Sequence, residues 1–139
     1  MDPQPVDPGT VDPAARVLVA DDEADIRLLV SLAVRKAGCT LLTSVADGAQ
    51  ALAAARTERP DLVVLDVSMP ELTGLEVCAE LRADPATAGT RVLLLSAGAS
   101  PDDVARGLAA GADAYLPKPF TVAGLVAEVR RLCSPGSAS

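Results

Sequence analysis

The chain has 139 residues, half of them apolar, and its 12 Lys and Arg against 19 Asp and Glu give a formal charge of −7. The length predicts one domain with a sizeable core and is too short for two ordinary domains. The acidic balance argues against a basic face for nucleic acid, so we expect no direct nucleic-acid partner. A cationic partner or a metal ion fits the charge better.

The sequence also lacks the marks of a membrane or secreted protein. No apolar run approaches the ~18 residues of a membrane-spanning helix, and the N-terminus has no basic-then-apolar signal. We therefore expect a cytoplasmic protein without a membrane partner. Cys39, Cys78 and Cys133 are widely separated and the chain has no histidine, so reduced core thiols are expected rather than a zinc site.

The two ends of the chain are expected to lie outside the folded domain. Residues 1–15 repeat Asp-Pro three times and offer little to bury, which predicts a disordered tail. Residues 133–139 end in Ser-Pro-Gly-Ser-Ala-Ser and are predicted to be a C-terminal tail, either a frayed end or the start of a linker. The folded domain is expected over residues 16–132.

Between the tails, five short runs of β-branched residues or leucine alternate with longer segments in which apolar residues recur every three or four positions. This pattern is a strand–helix unit repeated five times, (βα)5. Gly38 suits a helix C-cap, and Pro60, Pro85 and Pro101 are expected between elements rather than inside them. The predicted strands are Arg16–Ala20, Thr40–Val45, Leu62–Asp66, Arg91–Ser96 and Ala114–Leu116.

Strands joined by helices pair in parallel, because only a crossover of that length returns the chain to the same edge of a sheet. Five such units predict an α/β fold with a doubly wound, five-stranded parallel sheet that is covered by helices on both faces. In sheets of this kind ligands bind at the carboxyl ends of the strands, where the strand order reverses.

Polar side chains collect at the carboxyl ends of the predicted strands. Any one of them can be a cap or loop residue, and Asp22 in particular can cap a helix that starts near Glu23. The set as a whole indicates a site at this edge of the sheet. Its members are Asp21 and Asp22 after the first strand, Asp66 on the third, Ser96 on the fourth, and Tyr115 to Lys118 along the fifth.

Carboxylates gathered at one corner need positive partners. Two of them about 4 Å apart repel by roughly 4 kcal/mol at an effective dielectric near 20. Lys118 supplies one positive charge, and a divalent cation is the natural second. An oxygen-only site with few protein ligands and room for water and phosphate suits Mg²⁺, or Mn²⁺, better than Zn²⁺ or a full calcium cage.

A carboxylate beside a metal ion, a lysine and a hydroxyl is suited to phosphoryl transfer, which needs mainly positioning and charge neutralisation. Aspartate can itself accept the phosphoryl group as an acyl phosphate. Asp66 is therefore the candidate acceptor, with Asp21 and Asp22 as metal ligands and Ser96 and Lys118 as contacts to the phosphoryl oxygens.

These residues resemble the receiver (CheY-like) domains of bacterial two-component response regulators. The likeness runs from about Arg16 to Leu132 and is carried by VLVADDEADIR, VVLDVSMPELTGLEV, LLLSA and GADAYLPKPF. Each segment is a weak pattern alone, but their order and spacing are specific. The resemblance implies a flavodoxin-like sheet with the strand order 2-1-3-4-5.

The resemblance also implies a phosphorylation cycle. Asp66 is expected to be phosphorylated by a partner histidine kinase or histidine phosphotransfer protein, with Mg²⁺ held by Asp21 or Asp22, by Asp66 and by the backbone carbonyl of Ser68. The groups expected to contact the phosphoryl group are Ser96, Lys118 and the backbone amides of Val67 and Ala97.

A conformational switch follows from the same resemblance. Ser96 is expected to move toward the phosphoryl group and Tyr115 to rotate inward, which reshapes the face made by the fourth helix, the fifth strand and the fifth helix. A downstream protein is expected to bind that face. An ordinary half-buried ring at a strand end is the alternative for Tyr115. Family members usually have a cis peptide at the step that is Lys118–Pro119 here.

Other classes of protein fit less well. A haloacid-dehalogenase-like enzyme needs a second aspartate two residues after the nucleophile, and Ser68 stands there. Nucleotide binding needs a glycine-rich loop after the first strand, where this chain has Asp-Asp-Glu-Ala-Asp. An interaction module that ignores phosphate is the remaining alternative, and the complete set of site residues argues against it.

We expect no enzyme activity beyond self-phosphorylation from small phosphodonors and autodephosphorylation. Only Ser-Pro-Gly-Ser-Ala-Ser follows the last helical pattern, which favours a single-domain regulator without a DNA-binding output domain. An excised receiver of a longer regulator is the alternative.

Overall fold

The structure, a computed structural model, describes residues 15–133. The predicted tails lie outside these residues except at Ala15 and Cys133, and both of these are buried. The backbone carbonyl of Ala15 accepts a hydrogen bond from Thr40, and Cys133 is the last residue of the final helix. The fold therefore extends one residue further at each end than the sequence predicts.

Strands and helices alternate along the described chain, and four of the strands have the predicted bounds. The fifth strand is one residue longer than predicted and ends at Pro117. Pro101 is not between elements but opens a helix, where its missing N–H costs no hydrogen bond. The elements are β1 (Arg16–Ala20), α1 (Ala24–Lys36), β2 (Thr40–Val45), α2 (Gly48–Glu58), β3 (Leu62–Asp66), α3 (Gly74–Ala83), β4 (Arg91–Ser96), α4 (Pro101–Ala109), β5 (Ala114–Pro117) and α5 (Val122–Cys133).

All five strands pair in parallel, in the order β2-β1-β3-β4-β5. The predicted α/β fold, doubly wound and flavodoxin-like, is confirmed. No helix among residues 15–133 is long and apolar enough to span a lipid bilayer.

Alternate residues of each strand point to opposite faces of the sheet and form two apolar layers. Val17 of β1 packs in the layer under α1 and α5, and its neighbour Leu18 packs in the layer under α2 and α3. The buried apolar residues are alanine, valine, leucine, cysteine and methionine, as the scarcity of aromatic residues requires. The three cysteines, all among the described residues, are buried and none is in a disulfide bond, as predicted.

Caps fix the helix ends around the carboxyl edge of the sheet. The side chains of Asp47 and Ser100 accept hydrogen bonds from backbone N–H groups in the first turns of α2 and α4. Thr73 and Glu76 form a reciprocal capping box at the start of α3. Such caps contribute about 1 kcal/mol each, and here they also hold the loops that surround the site.

Candidate functional site

The strand register brings the predicted acceptor and its charged neighbours together. Ala20 of β1 pairs with Leu65 of β3, so Asp21 and Asp66 lie side by side at the carboxyl edge. Lys118 follows β5 at the same edge, beyond the intervening β4. This is the edge at which the strand order reverses, between β1 and β3.

The Lys118 ammonium lies among three carboxylates. Its Nζ is 3.4 Å from an oxygen of Asp21, 3.4 Å from an oxygen of Asp66 and 3.5 Å from an oxygen of Glu23. Asp21 and Asp66 are buried and Glu23 is exposed. The Lys118 ammonium therefore lies beside two buried carboxylates, and its single positive charge is not enough to neutralise both.

Burial raises the pKa of Asp66 to about 6, and the neighbouring Asp21 charge adds to the rise, while Lys118 opposes it. Burial likewise raises the pKa of Asp21. Burial acts to lower the pKa of Lys118, but the Asp66 and Asp21 carboxylates outweigh it and the pKa is raised. Ionised Asp66 is therefore costly in the protein alone, and additional positive charge at this corner offsets that cost.

The carboxylates are close enough to bind one cation together. Asp21, Asp22, Glu23 and Asp66 each offer an oxygen, and these oxygens lie within 4.8 Å of one another. A set of hard oxygen ligands with two exposed members, open to water, fits Mg²⁺. Sequence reasoning missed Glu23, which it considered only as a helix start, although it directly follows the acidic pair.

The alternative for Asp22 as a helix cap is wrong. The N-cap of α1 is Glu23, and no side chain caps this helix. The carboxylate of Asp21 instead accepts a hydrogen bond of 2.9 Å from the Glu23 backbone N–H. Asp22 is thus part of the acidic cluster and not of the helix cap.

The loop after β3 borders the same pocket, although its amides are already hydrogen-bonded. Ser68 lines the pocket and its N–H donates to the Asp66 carboxylate at 3.4 Å. The Val67 N–H donates to the Leu95 carbonyl at 2.8 Å, so a contact with a phosphoryl group requires this bond to be shared or exchanged. Ala97, whose amide was also predicted to contact the phosphoryl group, lines the pocket too.

The two predicted switch residues meet at Gly98. The Ser96 hydroxyl, which is buried, accepts a hydrogen bond of 3.0 Å from the Gly98 N–H. The half-buried Tyr115 donates its hydroxyl to the Gly98 carbonyl at 2.5 Å. The peptide bond between Lys118 and Pro119 is cis.

Asp103 is a further pocket residue that sequence reasoning missed. It lies in the first turn of α4 and lines the pocket together with Asp66, Ser96 and Lys118. It lies inside a helix rather than at a strand end, and no pattern in its neighbourhood marks it as part of a site. Only the position of α4 over the β4–α4 loop brings it there.

A doubly wound sheet with an acidic cluster and a lysine at its switch point is the arrangement that the resemblance to receiver domains implies. The model of the family described as response regulator receiver domain matches residues 17–130. The chain belongs to this family.

Relatives and solved structures agree with this assignment. The probable transcriptional regulatory protein TcrX of Mycobacterium tuberculosis is 45% identical over 116 residues, which are 84% of this chain and 48% of that protein. The DNA-binding response regulator MtrA of Mycobacterium leprae is 43% identical over 115 residues, 83% of this chain and 49% of that protein. The chemotaxis response regulator CheY4 of Vibrio cholerae has a TM-score of 0.80 at 36% identity, covering 86% of this chain and 98% of that chain.

The chain spans about half the length of the curated relatives it matches. The expectation of a single-domain regulator therefore stays a prediction. The names of these relatives describe transcriptional and DNA-binding regulators, so the expectation that nucleic acid is not a direct partner of this chain has no support from them.

Proposed function

We propose that Asp66 accepts a phosphoryl group from a phosphohistidine of a partner histidine kinase or histidine phosphotransfer protein. The observation that carries the proposal is the buried Asp66 carboxylate beside Asp21, with the Lys118 ammonium at 3.4 Å. A buried acid with a raised pKa and specific charged partners in a pocket is the kind of group that functional sites contain. The chain has no histidine, so the imidazole is supplied by the partner.

The chemistry needs no proton transfer by this chain. An oxygen of ionised Asp66 attacks phosphorus in line, and a P–O bond forms as the P–N bond to the donor imidazole breaks. The electron pair of the broken bond returns to the imidazole nitrogen, and the product is an acyl phosphate on Asp66. The Lys118 ammonium and the Ser96 hydroxyl donate to the phosphoryl oxygens.

The acidic cluster is proposed to hold Mg²⁺, or Mn²⁺, during the transfer. The ligands are carboxylates of Asp21 or Asp22, the Asp66 carboxylate and the backbone carbonyl of Ser68, with Glu23 as a further candidate. A metal ion held by these residues would neutralise negative charge on the phosphoryl oxygens. The chain contributes the fixed position of these ligands at the ends of β1 and β3.

Phosphorylation is proposed to act as a switch and not as a step of enzyme turnover. Ser96 moves toward the phosphoryl group and releases the Gly98 N–H. The expected inward rotation of Tyr115 is not part of this proposal, because its ring already packs beside Gly107 of α4 and Leu94. The surface of α4, β5 and α5 shifts to a second arrangement that binds a downstream protein. The hydrogen bonds of Ser96 and Tyr115 to one residue support this coupling.

Phosphorylation with a small phosphodonor tests the acceptor. With Mg²⁺ and acetyl phosphate, the intact protein is expected to gain the mass of one phosphoryl group, and Asp66→Ala is expected to gain none. Asp102→Ala, which changes an exposed aspartate outside the pocket, is the matched control and should gain as much as wild type. A folded wild-type protein that gains no mass contradicts the function, and an Asp66→Ala variant that gains as much as wild type contradicts the site.

A further inference from the structure

Asp21 is buried at the end of β1, so each of its polar groups needs a partner inside the protein. Its backbone N–H donates to the Val45 carbonyl at 3.1 Å, which extends the pairing of β1 with β2 by one residue. Its carboxylate accepts from the Glu23 N–H at 2.9 Å and from the Lys118 ammonium at 3.4 Å. These contacts leave its backbone carbonyl, which lies beyond the last paired residue of β1.

The Arg27 side chain supplies the partner for that carbonyl. Its guanidinium donates to the Asp21 carbonyl at 2.7 Å, and the structure gives this oxygen no other donor among residues 15–133. A buried carbonyl without a partner is costly, so the peptide is expected to turn toward water if the guanidinium is removed. The Arg27 hydrogen bond therefore fixes the peptide bond between Asp21 and Asp22.

Arg27 also ties the β1–α1 loop, residues 21–23, to α1 through its main chain. Its N–H donates to the Glu23 carbonyl at 2.9 Å. Its own carbonyl accepts from the hydroxyl of the buried Ser31 at 2.8 Å, one turn further along the helix. The β1–α1 loop is thus held by both the main chain and the side chain of one residue.

Asp22 depends on this loop for its position. It is exposed and belongs to the acidic cluster, and its side chain has no hydrogen bond or ion pair in the part of the chain that the structure describes. The backbone of the β1–α1 loop alone places its carboxylate near that of Asp66. Residues that hold this backbone therefore decide how well Asp22 can serve as a ligand.

Arg27 does not act on the acidic cluster through a direct charge contact. It forms no ion pair with any carboxylate of residues 15–133. Burial raises the pKa of Asp21 against the Glu23 N–H and Lys118, and Arg27 is not among the main influences. At longer range its positive charge repels a cation, so the charge and the hydrogen bond of Arg27 affect metal binding in opposite directions.

We propose that Arg27 is a positioning residue for the metal ion, because its guanidinium fixes the Asp21 carbonyl and thereby the places of the Asp21 and Asp22 carboxylates. This inference rests on the proposed binding of Mg²⁺ or Mn²⁺ by the acidic cluster. Substitution of residues that orient metal ligands typically costs about 10–100-fold in metal affinity. Arg27 therefore strengthens the binding of a cation although it is itself a cation.

Mn²⁺ binding tests the proposal without phosphorylation, since electron paramagnetic resonance measures the free ion and Mg²⁺ is measured by competition. Arg27→Met keeps an unbranched side chain without the guanidinium and is expected to bind Mn²⁺ about tenfold more weakly than wild type. Arg35→Met removes the same charge from the last turn of α1, outside the pocket, and is expected to bind as wild type does. Equal or tighter binding by folded Arg27→Met overturns the inference, because loss of the charge alone tightens binding.

Arg27→Lys keeps the charge and replaces the planar guanidinium with a flexible ammonium. It is expected to bind Mn²⁺ more weakly than wild type but more tightly than Arg27→Met, because an ammonium still donates to the carbonyl without fixing it as well. If Arg27→Met fails to fold, Arg27→Lys serves alone. Wild-type affinity in Arg27→Lys then overturns the inference.

Hydrogen exchange separates a positioning role from a general loss of stability. In Arg27→Met the Glu23 N–H, which donates to the Asp21 carboxylate, is expected to exchange faster than in wild type. The Gln50 N–H, which donates to the Asp47 cap of α2, is expected to exchange at the wild-type rate. A general loss of stability speeds both amides. Equal acceleration of both, or of neither, overturns the inference.

The outcomes also separate this inference from the proposed function. If wild type binds neither Mn²⁺ nor Mg²⁺ and gains no phosphoryl mass with acetyl phosphate, the proposed function fails. If wild type binds Mn²⁺ and gains the phosphoryl mass, and Arg27→Met binds Mn²⁺ as wild type does, only the role of Arg27 fails.

Discussion

Asp66 links the proposed chemistry to the stability of the fold. Its pKa rises from 3.8 to about 6, first because it is buried and second because Asp21 is close. An acid whose pKa is raised by folding stabilises the fold in its protonated form. That contribution is complete below about pH 4 and is lost as the pH rises through about 6. At about 1.4 kcal/mol per pH unit, the loss amounts to about 3 kcal/mol at most.

Asp66→Asn removes this cost, because an amide stays neutral at every pH. In the presence of a chelator we expect the variant to have a free energy of unfolding about 1–3 kcal/mol above wild type near pH 7.5, and a much smaller advantage near pH 4.5. Urea unfolding at both pH values measures it. Asp102→Asn is the control and should show no such trend. An advantage of the same size at both pH values means that the raised pKa is not its cause.

At the scale of elements, α2 ends in a conformation that its sequence does not favour. Its C-cap residue Arg59 has φ 49° and ψ 64°, in the left-handed region where glycine is the favoured residue. We expect Arg59→Gly to raise the free energy of unfolding by about 0.5–1 kcal/mol, measured by urea or thermal unfolding. The hydrogen bond that the Arg16 side chain donates to this residue ends on a backbone carbonyl and is kept.

The matched control lies at another helix end. Ala110 caps α4 with φ −72° and ψ −9°, in the right-handed region. Glycine there has no conformational advantage, so Ala110→Gly is expected to destabilise the protein. If both glycine variants shift stability in the same direction, the left-handed conformation of Arg59 does not explain the result.

Helix α4 packs on β5 through a residue without a side chain. A Cβ atom on Gly107 would lie 2.7 Å from the Tyr115 ring and 3.2 Å from Leu94. We expect Gly107→Ala to displace the ring and to lower stability by about 1–3 kcal/mol, less the small gain in helix propensity. The Tyr115 emission and thermal unfolding measure the two effects.

Gly89 provides the control for this substitution, because a Cβ atom there meets nothing within 4 Å. Gly89→Ala is expected to leave the Tyr115 emission unchanged. If Gly107→Ala also leaves the emission unchanged, the ring is not held by close packing on α4.

Considered over the whole molecule, the sheet and the proximity of Asp21, Asp66 and Lys118 were predictable, and the packing of α4 against the pocket was not. Strand bounds follow from short apolar runs, and the position of Asp66 follows from the rule that parallel strands end at one edge. The position of Lys118 at this edge was predicted by the same rule, because Lys118 directly follows β5. These features depend on residues that are close in sequence or on a topology that the strand–helix repeat determines.

The position of Asp103 in the pocket depends instead on how α4 lies over the β4–α4 loop. The contact with Gly98 requires a missing side chain, a capping serine and an arginine one turn later, and no period or motif records that combination. The hydrogen bond from the Val67 N–H to the Leu95 carbonyl was also missed. It was missed because the hydrogen bonds between β3 and β4 continue past the last residue of β3.

The stability of the whole fold is expected to depend on the charge of the acidic cluster, Asp21, Asp22, Glu23 and Asp66. The acidic cluster has four carboxylates, and Lys118 forms ion pairs with three of them, so a cation that binds there stabilises the folded state and not the unfolded one. A ligand at 100 times its dissociation constant adds about 2.7 kcal/mol. We therefore expect Mg²⁺ to raise the thermal midpoint near pH 7.5 more than NaCl of equal ionic strength does.

Protons compete with the metal ion for Asp66, whose pKa is about 6. The stabilisation by Mg²⁺ is therefore expected to shrink as the pH falls through about 6, because a protonated carboxyl is a poor metal ligand. Thermal unfolding of wild type with Mg²⁺ at about pH 7.5 and about pH 5 measures this, and Asp66→Asn should lose most of the difference. Equal stabilisation at both pH values means that Asp66 is not a ligand of the metal ion, because protonation of Asp66 in this range weakens any site that contains it.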